Sequence, residues 1–527
     1  MPTISPATEK FIERIKDLTS EKTEPGVKIH VDYIASKVAG FYEKIRYILE
    51  YQEEHLFRKK AIDRMLRRRL LMQENNKNDI AAPLISELIR GGYLPNDAIL
   101  ESAIEEVQII IHKYIYFLNY TQDLGLDMSK QEEMSKWLIS LASCEIEEKL
   151  APPQKDSALA DYMRQTISPK IVLKNANLHE EELKAQVFIG IQKTLLRADD
   201  ALLNYRLLKL HFPQWTESAN ENFVNAVALR LIPLKEALDE EIKHPLSSKF
   251  FSLCNKYNTP YLSLGDAIVK DPDLLAKSPE EIENSIDQAY QERFERLKKK
   301  LKRAAIYSTV SIFLTKVITA LAIEVPFDKY VTKELAFTAL TINILFPPFL
   351  MFLIVSTIKP PRPENAQKVI LEAMKIIYIA EKPDQYEIKP TKKRSVFLRS
   401  FINLFYLVIF TAVFWLIVWT LLKIKFSWPS IAIFLIFVSL ICFAGLKIRQ
   451  RSKELDIEKT KESGLAFLID LFALPLVQVG KWLSGQWSRF NIFVVFFNLV
   501  LEVPLLTFVE FLENWRHFMK EKKEEIQ

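Results

Sequence analysis

The chain has 527 residues, 49% hydrophobic and 26% charged, with a net charge of +5 at neutral pH. That length exceeds one ordinary domain, and so small a basic excess excludes a dedicated nucleic-acid binder, whose affinity rests on a strong positive surplus. Only 11 residues are glycine, against an average usage of about 7%, which argues against glycine-rich phosphate loops and tightly packed channel helices.

Segregation of charge decides the class. Charged residues crowd positions 1–303, and long uncharged apolar runs begin only at Ala304. The expected fold is all-α: a polytopic helical membrane protein with a large helical N-terminal cytoplasmic portion. The stretch Met1 to Asp17 has no apolar run of signal length and carries Glu9, Glu13 and Asp17. Neither a secretory signal nor an acid-poor transit peptide is expected there.

Residues 1–278 read as a helical cytoplasmic region. Val31 to Met72 contains no proline and only Gly40, with apolar residues at Ile34, Val38, Phe41, Ile45 and Ile48. Asp97 to Gln122 repeats this helical spacing through Ile99, Ala103, Val107, Ile110, Ile111 and Tyr114, and His179 to His211 repeats it through Val187, Ile191, Leu195, Ala198 and Leu202. Gly91-Gly92, Pro152-Pro153, Pro213 and Pro245 mark loops. No alternating strand run and no fixed-period repeat stands out. The basic stretch from Arg58 to Arg69 fits an anionic membrane surface or an acidic partner, but a helix face neutralised by Glu50, Glu53, Glu54 and Asp63 is favoured.

Ser278-Pro279-Glu280-Glu281 predicts a capped helix start, and no proline or glycine follows until Pro326. One helix of roughly 70 Å, at ~1.5 Å per residue, is expected from Pro279 to Glu324. Its part 279–303 is the cytoplasmic half, with a coiled-coil-like stripe of Ile282, Ile286, Tyr290, Leu297 and Leu301.

Four segments approach or exceed the ~20 residues a membrane crossing needs. They are Ala304–Glu324 and Leu335–Ile358, the first hairpin (304–358), and Phe397–Leu422 and Ser430–Leu446, the second (397–446). Lysine and arginine cluster before the first span, in the loop 359–396 and after the fourth span. The alternate loops hold only Lys329 and Lys333, then Lys423 and Lys425. This bias places the N-terminus in the cytoplasm. The basic loop 359–396 carries an amphipathic helix around Val369, Ile370, Ala373, Met374 and Ile377. A charged linker, 447–463, leads to two apolar segments in 464–515 that read as re-entrant, interfacial or transmembrane helices, then to a charged tail, 516–527. Trp419, Trp428, Trp482, Trp487 and Trp515 sit where interface anchors belong. A bacterial plasma membrane with both termini cytoplasmic is the expected location.

No nucleotide, zinc-protease or nucleophile-elbow motif is present. Seven histidines are scattered singly, and Asp239-Glu240-Glu241 point to different sides of a helix. Cys144, Cys254 and Cys442 are too far apart for a disulfide framework or a CxxC zinc site. No cofactor is expected.

The intramembrane polar candidates are Lys316, Asp470 and Glu502. A lysine in mid-span needs a partner. Glu324, about two turns away on one helix, is expected not to reach it, which leaves Asp470 or Glu502. Pro347-Pro348 is expected to break or kink the second span, and Glu-Val-Pro at 324–326 recurs at 502–504. Three functions follow. The first is a membrane-anchored interaction or scaffold protein whose N-terminal region meets a protein partner or an anionic bilayer. The second is a transporter or channel using Lys316 and the Pro347-Pro348 break, and the third is a membrane enzyme on lipids or peptides. The lipid bilayer is a partner in each.

Sidedness is directly testable. In a cysteine-free background, single cysteines replacing Lys329 and Lys425 are expected to label with an impermeant maleimide from outside intact cells. Cysteines replacing Lys300 and Lys389 are expected to label only after lysis. The reversed pattern overturns the charge-bias argument.

Overall fold

The computed structural model describes residues 3–20, 26–31, 54–72, 79–174, 178–216, 221–332, 337–358, 361–379, 385–390, 395–457 and 464–490, with Phe511, Trp515 and Phe518. The protein is all-α, and four of its helices are long and apolar enough to cross a membrane. Two compact units emerge. The first draws on Met1–Asn255 and Ile377–Pro390, the second on Lys256–Ile376 and Thr391–Val494.

The first unit begins with α1 (Pro6–Ser20), followed by α2 (Glu54–Met72), α3 (Ala81–Arg90), α4 (Ser102–Asp123), α5 (Met128–Leu150) and α6 (Gln154–Ile167). Its largest core gathers Phe57, Ile62 and Leu66 of α2, Leu84 and Leu88 of α3, Leu138 and Leu141 of α5, and Val107, Ile110, Ile111, Tyr114 and Phe117 of α4. The α4 set has the three-and-four spacing read from the sequence, and that spacing puts the side chains on one buried face. Asp127 caps α5 by accepting the Lys130 N–H at 2.8 Å. The stripe from Ile34 to Ile48 lies outside the described residues.

Two expectations for this unit change. The run His179–His211 is two helices, α7 (Glu180–Leu195) and α8 (Asp200–His211). Arg197 turns through a positive φ of 48° between them, and the Asp199 carboxylate caps α8 by accepting the Leu202 N–H at 3.0 Å. A strand pair is also present: β1 (Ile171–Leu173) runs parallel to β2 (Tyr386–Ile388), with Ile171 opposite Tyr386 and Leu173 opposite Ile388. Three residues are too few to display alternation, which hid both strands. Nearby, Ile4 bridges Tyr378, and the Thr8 hydroxyl sits 2.7 Å from the Tyr162 hydroxyl beneath the stacked Phe11 and Tyr162 rings. Tyr378 and Tyr386–Ile388 are thereby tied to the N-terminal chain. The unit continues through α9 (Glu221–Ala228), α10 (Leu231–Ile242) and the start of α11 (Ser247–Lys270).

The second unit is dominated by α12 (Pro279–Thr319), 41 residues opened by the expected capping box: Ser278 Oγ accepts the Glu281 N–H at 3.4 Å, and Glu281 accepts the Ser278 N–H at 3.3 Å. It continues into a π turn at Ala320–Glu324, a short α piece at Val325–Phe327 and a second π turn at Asp328–Thr332. Next come α13 (Phe337–Ser356), α14 (Glu364–Ile377), α15 (Val396–Lys423), α16 (Trp428–Ser452) and α17 (Gly464–Phe490). Of the expected break or kink, the break does not occur: α13 runs on through Pro347 and Pro348. A proline's fixed φ suits a helix, so the cost falls on the carbonyls of Asn343 and Ile344, which lose their N–H partners.

The amphipathic helix α14 buries Ala366 and Val369 against Tyr290, Leu455 and Ile457. Asn365 fastens this cluster. Its Nδ2 donates to the Tyr290 hydroxyl (3.1 Å) and the Leu455 carbonyl (2.7 Å), and its Oδ1 accepts the Ile457 N–H (3.1 Å). By contrast, α15 packs only its last turns, where Leu421 is buried, and leaves Phe401, Leu404, Leu407, Val408 and Trp415 exposed. Lipid is the apolar medium such a helix requires.

The first of the two ambiguous C-terminal segments is the continuous helix α17, packed along α16. Arg449 meets Asp470, and Ser439 meets Gly480. Numbers fall on one helix as they rise on the other, so the pair is antiparallel. The second segment, 491–510, lies outside the described residues. Gly480 permits the close approach: a Cβ there would lie 2.0 Å from the Ser439 carbonyl oxygen. Gly485, on the same helix, faces open space. Gly480→Ala is therefore expected to destabilise the protein in nonionic detergent by about 1–3 kcal/mol through overpacking. Gly485→Ala is expected to leave stability unchanged or raise it by up to ~1 kcal/mol. Equal effects in thermal unfolding would refute the close contact.

Candidate functional site

Lys316 lies on α12 in the first apolar span, and its side chain is wholly buried, as is that of Glu324. The ammonium donates to Glu324 Oε1 at 2.6 Å. Glu324 Oε2 accepts from Asn343 Nδ2 on α13 and, at 3.4 Å, from the Ser430 hydroxyl on α16. The Phe437 ring lies 5.1 Å from the ammonium. Three helices thus converge on one carboxylate.

This geometry corrects the expectation that Glu324 falls short of Lys316. In a straight α-helix eight residues advance roughly 12 Å. Here the interval includes the π turn Ala320–Glu324, which holds more residues per turn and so advances less along the axis. Two long side chains close the remaining gap. Asp470, proposed as the partner, is engaged elsewhere: Arg449 donates to its two oxygens at 2.7 and 3.0 Å. Glu502 lies outside the described residues.

Asn343 and Ser430 were not singled out from the sequence. Asn343 had a signal, being a lone amide deep in an apolar run and four residues before Pro347. Its Oδ1 is buried with no hydrogen-bond partner among the described residues. A serine in the first turn of an apolar helix carries no comparable signal.

The first unit holds a second buried polar centre that sequence reading also missed. The Lys113 ammonium donates to Glu145 Oε1 (2.6 Å) and to the Trp215 carbonyl (2.9 Å), and the Tyr114 hydroxyl donates to Glu145 Oε2 (2.8 Å). The Trp215 indole N–H reaches the Tyr114 hydroxyl and Glu145 Oε2, each at 3.2 Å. Burial pushes the Lys113 ammonium below its ordinary pKa while Glu145 pulls it back up, and burial drives the Tyr114 phenol well above its own.

The basic stretch of α2 is consumed inside the fold. Arg58 pairs with Glu147 at 3.0 Å, Arg68 and Arg69 share Glu87 at 2.5 and 2.7 Å, Arg67 pairs with Asp63 at 2.7 Å, and Lys59 pairs with Asp199. Of the expected partners, Glu54 pairs with Arg58 at 2.6 Å and Asp63 with Arg67, Glu50 and Glu53 lie outside the described residues, and Glu87, Glu147 and Asp199 are added by the fold. Cys144 and Cys254 are buried, and burial pushes the Cys254 thiol up to about 12. Among the described residues no group of three or more His, Cys, Asp or Glu is placed to hold a metal.

No protein-family model matches the chain, and neither a curated protein nor a solved structure matches it.

Energetics separates the Lys316–Glu324 pair from the Arg449–Asp470 pair. Removing one member of a buried ion pair strands the other charge and costs about 3–5 kcal/mol, whereas replacing both with apolar groups is often neutral. Lys316→Met is therefore expected to destabilise the detergent-solubilised protein strongly, and Lys316→Met with Glu324→Met to recover most of that loss. The half-exposed Arg449–Asp470 pair predicts a loss of at most about 1 kcal/mol for Asp470→Asn. Additive losses in the Lys316/Glu324 cycle, measured by denaturant titration, would refute the coupling.

Proposed function

We propose that the protein is a membrane-anchored interaction or scaffold protein: the spans hold it in the bilayer, and the helical region 1–278 presents a rigid surface to partners on the cytoplasmic side. The observation that carries this reading is the complete enclosure of Lys316 beside Glu324. Its ammonium has no exposed surface, and its carboxylate partner is held by groups from two further helices. Such a charge fixes helix packing, whereas a transported ion or proton needs a route to it.

The sidedness of this reading has support beyond lysine and arginine bias. β2 and Tyr378 follow the second span in sequence, yet they pair with Ile171–Leu173 and Ile4 before the first. Both stretches lying on one side of the membrane is in keeping with a first hairpin that crosses and returns. The plasma membrane of a bacterium remains our assignment of location. For 464–490 we favour an inserted hairpin arm, since α17 lies beside Ser439 midway along α16.

A transporter using Lys316 and the Pro347-Pro348 segment is the second reading. One observation favours it: Asn343 Oδ1 is buried without a partner among the described residues, in a helix where two prolines remove N–H donors.

The experiment that decides is paired. Photo-crosslinkers placed at the exposed Met128 and Leu229 are expected to give one discrete adduct in native membranes from each position. Proteoliposomes of the same protein are expected to show no proton, sodium or potassium flux above protein-free controls. A flux abolished by Lys316→Ala in protein that still folds would replace the scaffold reading with transport.

A further inference from the structure

Where α12 turns from charged to apolar, it has two distinct faces. One packs inward: Phe294 and Leu297 lie on the cluster around Val369, and Leu301 and Ile312 on the cluster of Met351, Ile441 and Ile448. At ~100° per residue, Lys299 and Arg303 each stand about 160° round the helix from Leu301, on the face turned away from those contacts. Lys302 flanks them, and all three are exposed. Because α12 is regular α-helix from Pro279 to Thr319, positions three and four apart bring their Cβ atoms to about 5–6 Å. Lys299, Lys302 and Arg303 therefore form one triangle, small enough for a single phosphate group to meet all three long side chains.

The charge of this triangle is not cancelled along its own helix. Glu295 pairs with Lys298 at 3.6 Å, Glu292 is held by Lys270 and Arg296, and no further acid follows before the buried Glu324. Lys299, Lys302 and Arg303 form no ion pair among the described residues. Setting Glu295, four residues before Lys299, wholly against the triangle still leaves two cations. The basic flank of α16 differs: Arg449 pairs with Asp470, and the Lys447 ammonium lies 4.9 Å from the Phe443 ring. Beyond the triangle the outer face of α12 turns apolar. Ile306, Val310 and Phe313 follow at three- and four-residue steps and remain exposed. From Arg303 to Phe313 the helix rises roughly 15 Å at ~1.5 Å per residue, about half of a ~30 Å hydrocarbon core.

We propose that this face of α12 binds an anionic glycerophospholipid, its phosphate among Lys299, Lys302 and Arg303 and one acyl chain along Ile306, Val310 and Phe313. The triangle calls for a headgroup of net negative charge, which a choline lipid lacks, and the Arg303 guanidinium suits two oxygens of a phosphodiester. The apolar strip, one leaflet long, calls for an acyl chain and so favours a lipid over a soluble phosphate. The inference rests on the reading that α12 enters the bilayer.

The test has two arms on the full chain. It is reconstituted into phosphatidylcholine nanodiscs, and in nonionic detergent it is titrated with dioleoyl phosphatidylglycerol and dioleoyl phosphatidylcholine under native mass spectrometry. Phosphatidylglycerol is expected to bind at least about fivefold more tightly than phosphatidylcholine. Lys299→Gln with Arg303→Gln, both compatible with a helix, is expected to bring that ratio below about twofold. Lys298→Gln with Lys300→Gln removes the same charge at the same height on other faces, and is expected to leave the ratio within about twofold of wild type. If the first pair lowers the melting temperature, Lys302→Gln alone serves instead, with the same direction expected. Equal losses from the two pairs assign the preference to a diffuse positive field and overturn the site. Entry into nanodiscs with equal affinity for the two lipids overturns the site and leaves the membrane reading standing, whereas failure to enter nanodiscs overturns both.

Discussion

An ammonium group in a medium that cannot solvate it must be neutralised where it stands, and much of the second unit's packing follows from how Lys316 meets that demand. Desolvating each ion costs several kcal/mol, so the Lys316–Glu324 pair persists only with good geometry and with hydrogen bonds for the oxygens the lysine leaves over. Asn343 and Ser430 supply those bonds from α13 and α16. The π turn at Ala320–Glu324 brings the two charges within reach, at the expense of regular helix geometry. Wide turns of this kind recur where a side chain must be re-aimed, and here the re-aimed group joins three helices that have few other polar contacts. The prolines of α13 belong to the same arrangement. By leaving two carbonyls without N–H partners they make the segment around Asn343 more polar than its sequence suggests.

The first unit solves the same problem in a different solvent. Lys113 and Glu145 are as enclosed as a surface-bounded fold permits, and they survive because Tyr114 and Trp215 complete the carboxylate's shell. Around them the arginines of α2 are distributed among Glu87, Glu147 and Asp63. Ions paired this way contribute less to net stability than to uniqueness, because alternative packings strand a charge.

What was legible in the sequence follows the range of each signal. Apolar periodicity is local, and it located α4 and the four long apolar helices well. Ser278 and Glu281 form the expected capping box because all its atoms lie within one turn. Signals that depend on distant partners were illegible. Lys113 and Glu145 are ordinary charged residues until the fold joins them, and β1 and β2 are more than two hundred positions apart and three residues long. The Glu324 misreading has another cause: measuring along an ideal α-helix assumes regular geometry, and the π turn broke that assumption. The split of His179–His211 was partly visible, since Ala198-Asp199-Asp200 is a cap signal that apolar periodicity alone overrode.

The strand pair has a consequence out of proportion to its size. Parallel strands need a crossover connection, and the one between β1 and β2 contains the whole first hairpin. A chain that leaves a compact unit, passes through two candidate spans and returns to pair with that unit is closed back on itself by hydrogen bonds. The pairing also limits the parts that can vary independently. Within the first unit Tyr378 is bridged to Ile4 and Tyr386–Ile388 to Ile171–Leu173, and within the second Asn365 is bonded to Tyr290, Leu455 and Ile457.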